Sequence, residues 1–136
     1  MITRMTHVSV YVLNLDSAYD FYVNKLGFIV INDVSMPDGE RWLTVSPPQQ
    51  PGFEIILWPV KSGNEFSGDT VATLQQLIAK GTFGVGLLTS NDVLATYEEL
   101  KQKGVEFIKA PVKEAHGTEA VFKDDSGNWF TLVQFD

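Results

Sequence analysis

Aligned on itself so that Asn14 meets Asp92, the chain repeats its own order of elements. His7 then falls on Val85, and one residue of slack in the second helix brings Gly27 onto Gly104. Such a repeat restricts the fold strongly, because each half must be one supersecondary unit. Each half reads as a strand, a helix and three further strands. The order predicts an α+β protein of two tandem βαβββ modules. Residues 1–60 form the first, 61–81 a connector with a short helix, and 82–136 the second, within one structural domain overall. Each sheet is expected to carry its helix on the apolar face and leave the other face concave, and two such sheets side by side would enclose a cup.

The local patterns support that order. Residues 7–12 alternate strictly, which is the mark of a strand between two environments. Val8, Val10 and Val12 form the core face, and His7, Ser9 and Tyr11 the other. A plain solvated face would carry Lys, Glu or Thr instead. Asn14 and Asp16 are candidate caps for a helix with Ala18, Phe21, Tyr22 and Lys25 at helical spacing, ended by Gly27. Strands follow at 28–31, 41–45 and 53–58, separated by a turn at 36–39 and a Pro-rich loop at 47–52. Asp69 caps a short helix with Val71, Leu74, Leu77 and Ile78, closed by Gly81. The second half reads as a strand at 83–89, a helix capped by Asp92, a strand at 105–108, and strands at 119–123 and 129–134 around a turn at 124–128.

Strand parity then selects a lining for the concave side: His7, Ser9, Tyr11, Trp42, Thr44, Glu54, Ile56, Trp58, Val85, Leu87, Trp129, Thr131 and Val133. All three tryptophans fall in it, with hydroxyls and one carboxylate, as small-molecule pockets require. The tryptophans also suit a plain core, and His7 suits a half-buried imidazole bonded to Ser9, Tyr11 or backbone. Glu54 is the residue that most demands a function, because a buried carboxylate must be paired, protonated or bound to a cation. Arg41 is one possible partner, although parity sends it to the opposite face. Glu119 and Lys123 read as rim or solvent, and His116 sits in the turn before the seventh strand.

Composition enters mainly to exclude. Among 136 residues the formal net charge is −7 and no stretch concentrates Lys and Arg, so no nucleic acid partner is expected. With no cysteine there is no disulfide, thiolate ligand or Cys nucleophile. No apolar run approaches a bilayer span, so no membrane partner is expected. The chain opens directly into a strand, and a cytoplasmic location is the expectation.

The stretch from His7 to Phe28, with Asp20-Phe21-Tyr22 and Leu26-Gly27-Phe28, resembles the opening of the vicinal oxygen chelate superfamily. That superfamily holds glyoxalase I, bleomycin and fosfomycin resistance proteins and extradiol dioxygenases. The turn Asp124-Asp125-Ser126-Gly127-Asn128 is similar to the family's Asp-Pro-Asp-Gly-Asn, with Asp125 in place of Pro. The resemblance covers essentially the whole chain. It implies a divalent metal held by the first and fourth strands of each module. His7 matches the first ligand position, and the second falls on Glu54 or Ile56 according to how the strand is slid. Val85 and Thr131 occupy the other two; valine cannot coordinate and threonine is a poor ligand.

Two readings follow from the resemblance. One is a cofactor-free protein of the bleomycin resistance type, holding a small organic molecule against His7, Ser9, Tyr11, Trp42, Thr44, Glu54, Trp58, Trp129 and Thr131. The other is a lyase of the lactoylglutathione lyase kind, an isomerase or a dioxygenase. It would use one divalent ion (Ni, Zn, Mn or Fe) on His7 and Glu54, with Glu54 as the candidate catalytic residue. A bare interaction module is a third reading. The resemblance, together with open sheet edges, also implies a homodimer.

Overall fold

A computed structural model describes residues 1–63 and 65–136. The chain forms two compact units, Met1–Val71 and Ala72–Asp136.

The first unit begins with β1 (His7–Val12), followed by α1 (Leu15–Tyr19), which runs on as a π-helical segment, Asp20–Lys25. Asn14 caps α1, its side chain accepting from the Ser17 N–H at 2.8 Å. The wider segment lets two successive residues, Phe21 and Tyr22, both reach the core. Gly27 takes φ 77° behind it, a left-handed conformation suited to glycine. Then come β2 (Ile29–Ser35), β3 (Arg41–Ser46) and β4 (Glu54–Pro59). The strand order is β1-β4-β3-β2, with β1 parallel to β4 and the other pairs antiparallel. Val12, Leu43, Val45 and Leu57 are fully buried on the face that α1 covers.

The second unit repeats the pattern. β5 (Gly84–Thr89), α3 (Val93–Gln102), β6 (Phe107–Glu114), β7 (Gly117–Lys123) and β8 (Trp129–Phe135) build a sheet of order β5-β8-β7-β6. Asp92 caps α3 through the Ala95 N–H. The turn before β8 is organised by the buried Asp124. Its Oδ1 accepts from the backbone N–H groups of Ser126, Gly127 and Asn128, each at 2.9 Å, and its Oδ2 from the Asn128 amide at 3.0 Å. Gly127 lies against the end of α2 (Gly68–Ala79), where a Cβ would stand 2.2 Å from the Ile78 carbonyl oxygen.

Two strands are longer than their patterns suggest. Residues 28–31 are the start of a strand that runs to Ser35, and residues 105–108 the start of one that runs to Glu114. Both contain register shifts, at Val30/Asn32 and around Lys109, which break the alternation that parity relies on. Ser67, rather than Asp69, stands ahead of α2 and accepts from the Thr70 N–H.

Candidate functional site

The open face of the first sheet carries a polar strip that crosses all four strands. Parallel pairing sets Glu54 opposite His7 and Ile56 opposite Ser9. His7 Nε2 lies 3.0 Å from Glu54 Oε2, and His7 Nδ1 lies 2.7 Å from the Thr6 hydroxyl. The second carboxylate oxygen of Glu54 accepts from the Thr44 hydroxyl at 2.7 Å and from the Asn32 amide at 3.1 Å. Asn32 also donates to Thr44 Oγ1 at 3.2 Å. Thr44 is completely buried beneath this network, while the Glu54 side chain is 21% exposed and that of His7 40%.

Asn32 has no place in the parity-based lining. The bulge in β2 turns it, rather than Ile31, toward Thr44. A lone Asn inside an apolar strand was the one available signal. Arg41 is no partner of Glu54. It binds Asp33 through two N–H···O contacts of 2.8 and 2.9 Å, reaches Asp16 at 2.9 Å, and lies over the Tyr19 ring. This clamp ties β3 to β2 and α1, and it holds the Asp33 carboxyl below its ordinary range while raising the Arg41 guanidinium.

Beside the polar strip runs an aromatic row. Tyr11 stands opposite Trp58 in the β1–β4 ladder, and Trp58 meets Trp42 edge to face at 5.9 Å and 83°. Tyr11 packs edge to face against Phe66, and the Trp58 ring N–H donates to Glu65. The two indoles line one pocket of about 250 Å³, together with Met36, Asp38, Glu40 and Lys61 among others. Both indoles pack on each other and line this pocket.

The second sheet is built differently at the matching place. The bulge at Gly84/Gly86 brings Gly84, not Val85, opposite Trp129. The pair that corresponds to His7–Glu54 is therefore Gly84–Trp129. The indole overlies the glycine so closely that a Cβ there would meet it at 2.4 Å. Val85 sits in the bulge, Thr131 is half-buried opposite Leu87, and Val133 is fully buried. Glu119 is half-buried and ion-paired rather than free in solvent. Its side chain is 20% exposed, and it holds Lys109 at 3.1 Å and His116 at 2.8 Å, with Glu114 also on Lys109. Lys109 is the main cause that lowers the Glu119 pKa. Lys123 pairs with Glu106 at 3.6 Å.

His7 Nε2 and Glu54 Oε2 face each other at 3.0 Å. Oε1 of Glu54 is occupied by Thr44 and Asn32. Among the described residues no group of three or more His, Cys, Asp or Glu side chains is placed to hold a metal ion. A catalytic divalent site takes about three protein ligands, and this donor set does not fit one.

The profile of the Glyoxalase/Bleomycin resistance protein/Dioxygenase superfamily matches residues 4–132. The chain belongs to that superfamily, and its α+β fold is the superfamily's fold. Its similarity to the crystal structure of UcmS2 is high: 50% identity over 98% of both chains, with a TM-score of 0.92. TnmS3, an antibiotic binding protein from Streptomyces sp. CB03234, shares 27% identity over 99% of this chain and 98% of its own, with a TM-score of 0.77. YurT of Bacillus subtilis (strain 168) is 37% identical over 96% of this chain and 98% of its own length. Among the described residues no helix is long and apolar enough to cross a membrane.

Proposed function

We propose that this chain binds a small organic molecule of the antibiotic kind without chemistry and without a metal cofactor, on the aromatic half of the first sheet's open face. The observation that carries the reading is the pocket lined by Trp42 and Trp58, two half-buried indoles in edge-to-face contact. Half-buried indoles supply large contact area at small entropic cost and bind ring systems well. The polar strip from His7 to Asn32 beside them adds hydrogen-bonding groups whose mutual bonds hold them in place. Kinship with TnmS3, which binds an antibiotic, agrees with the reading.

The metal-dependent lyase, isomerase or dioxygenase is the competing reading, and it rests on His7 and Glu54 alone. Plasma mass spectrometry after soaking with Ni, Zn, Mn and Fe(II) separates the two. The binding protein takes up less than one equivalent of any ion. One equivalent per chain that is lost in His7→Ala would overturn it.

The reading includes a cytoplasmic homodimer. Its support is a set of apolar side chains left exposed on strands of the single chain, including Ile31, Val34, Leu87 and Val112. Sedimentation at micromolar concentration is expected to give twice the 15.1 kDa chain mass; a monomer would remove the dimer from the reading.

A further inference from the structure

We infer that the Trp42–Trp58 pocket selects a cationic aromatic molecule, an amine or quaternary ammonium carried on a planar ring; this deepens the binding reading and rests on it. Five charged residues line the pocket: Asp38, Glu40, Glu65, Arg41 and Lys61. Both cations are already engaged. Arg41 serves Asp33 and Asp16, and Lys61 serves Glu40 at 2.8 Å.

Among the described residues, no cation is paired with the carboxylates of Asp38 and Glu65. Asp38 accepts from the backbone N–H of Glu40, and Glu65 from the ring N–H of Trp58. The pocket wall thus carries two negative charges in excess of its paired groups, beside two indoles. Donation of the Trp58 ring N–H to a carboxylate also makes that indole richer in electrons, which strengthens its attraction for a cation over its face. The net charge of −7 acts in the same direction at long range. A neutral ring would gain the aromatic contact alone, and an anion would be repelled.

The test uses three probes of nearly one shape: 1-methylquinolinium, neutral 1-methylnaphthalene and anionic 1-naphthoate, titrated calorimetrically into the full chain at low salt. The expected order is cation, then neutral, then anion, with the cation about tenfold tighter than the neutral ring. In the double variant Asp38→Asn, Glu65→Gln, whose sites are exposed and whose shapes are kept, the cation and the neutral ring should bind alike, with an unchanged circular dichroism spectrum. Equal affinities in the unmodified chain, abolished by Trp42→Leu, would overturn the cation preference and leave the binding reading standing. A preference that survives the double variant would also overturn it. No binding by any of the three would overturn both readings.

Discussion

Glu54 accepts hydrogen bonds from Thr44 and Asn32 and contacts His7, and its role can be separated from that of a metal ligand by what its removal does to the empty protein. In Glu54→Ala the buried Thr44 hydroxyl, the Asn32 amide and His7 each lose a partner. Leaving such groups unsatisfied costs about 1–3 kcal/mol. Urea denaturation of metal-free protein should show that loss. Stability equal to the parent's would mean that Glu54 serves only a bound ion. Asp33 offers a second check, through pH. Its folded pKa lies below the ordinary value because Arg41 holds the charged form. Its stabilising contribution is therefore complete above the ordinary carboxylate range and is lost as pH falls through the depressed folded value. Asp33→Asn should lower Tm at neutral pH, and the gap to the parent should narrow as pH drops below about 4. A gap that stayed constant down to acid pH would disprove the clamp's electrostatic share.

At the scale of elements, the close approach of Trp129 to Gly84 is the feature that distinguishes the second sheet from the first. Gly84→Val has to displace an indole, and overpacking of this kind costs about 1–3 kcal/mol. Thermal denaturation would show it, and a neutral substitution would mean that the indole swings away freely. The Asp124 turn is the other keystone: Asp124→Ala removes four accepted hydrogen bonds at a buried site and should cost about 3 kcal/mol. The strand–helix–strand order, both cap residues Asn14 and Asp92, and the face carrying Tyr11, Trp42 and Trp58 were legible in the sequence, because alternation and capping are local. What lay beyond the pattern has one physical cause. A bulge shifts every later residue by one register step without altering composition. So the alternation omits Asn32, and it sets Val85 against His7 although Gly84 holds that place in the ladder. The ion cluster of Lys109, Glu114, His116 and Glu119 was hidden for the same reason, since two shifts in β6 bring it together.

For the whole molecule, two βαβββ units give two sheets with the same topology and different open faces. One carries a histidine–carboxylate pair bonded within its own sheet, and an aromatic pocket. The other carries glycine under tryptophan at the matching place. A superfamily fold supports many chemistries, so the site rather than the fold must carry the functional argument. The site here offers ring faces and hydrogen bonds, and its donor set falls short of a metal centre. The most direct measurement is a tryptophan fluorescence titration of the full chain with a panel of aromatic antibiotics, run in EDTA, beside Trp42→Leu and Trp58→Leu. Saturable binding of at least one compound, indifferent to the chelator and weakened at least about tenfold in both variants, is the expected result. Binding that vanishes in EDTA and returns with a divalent ion would contradict the account.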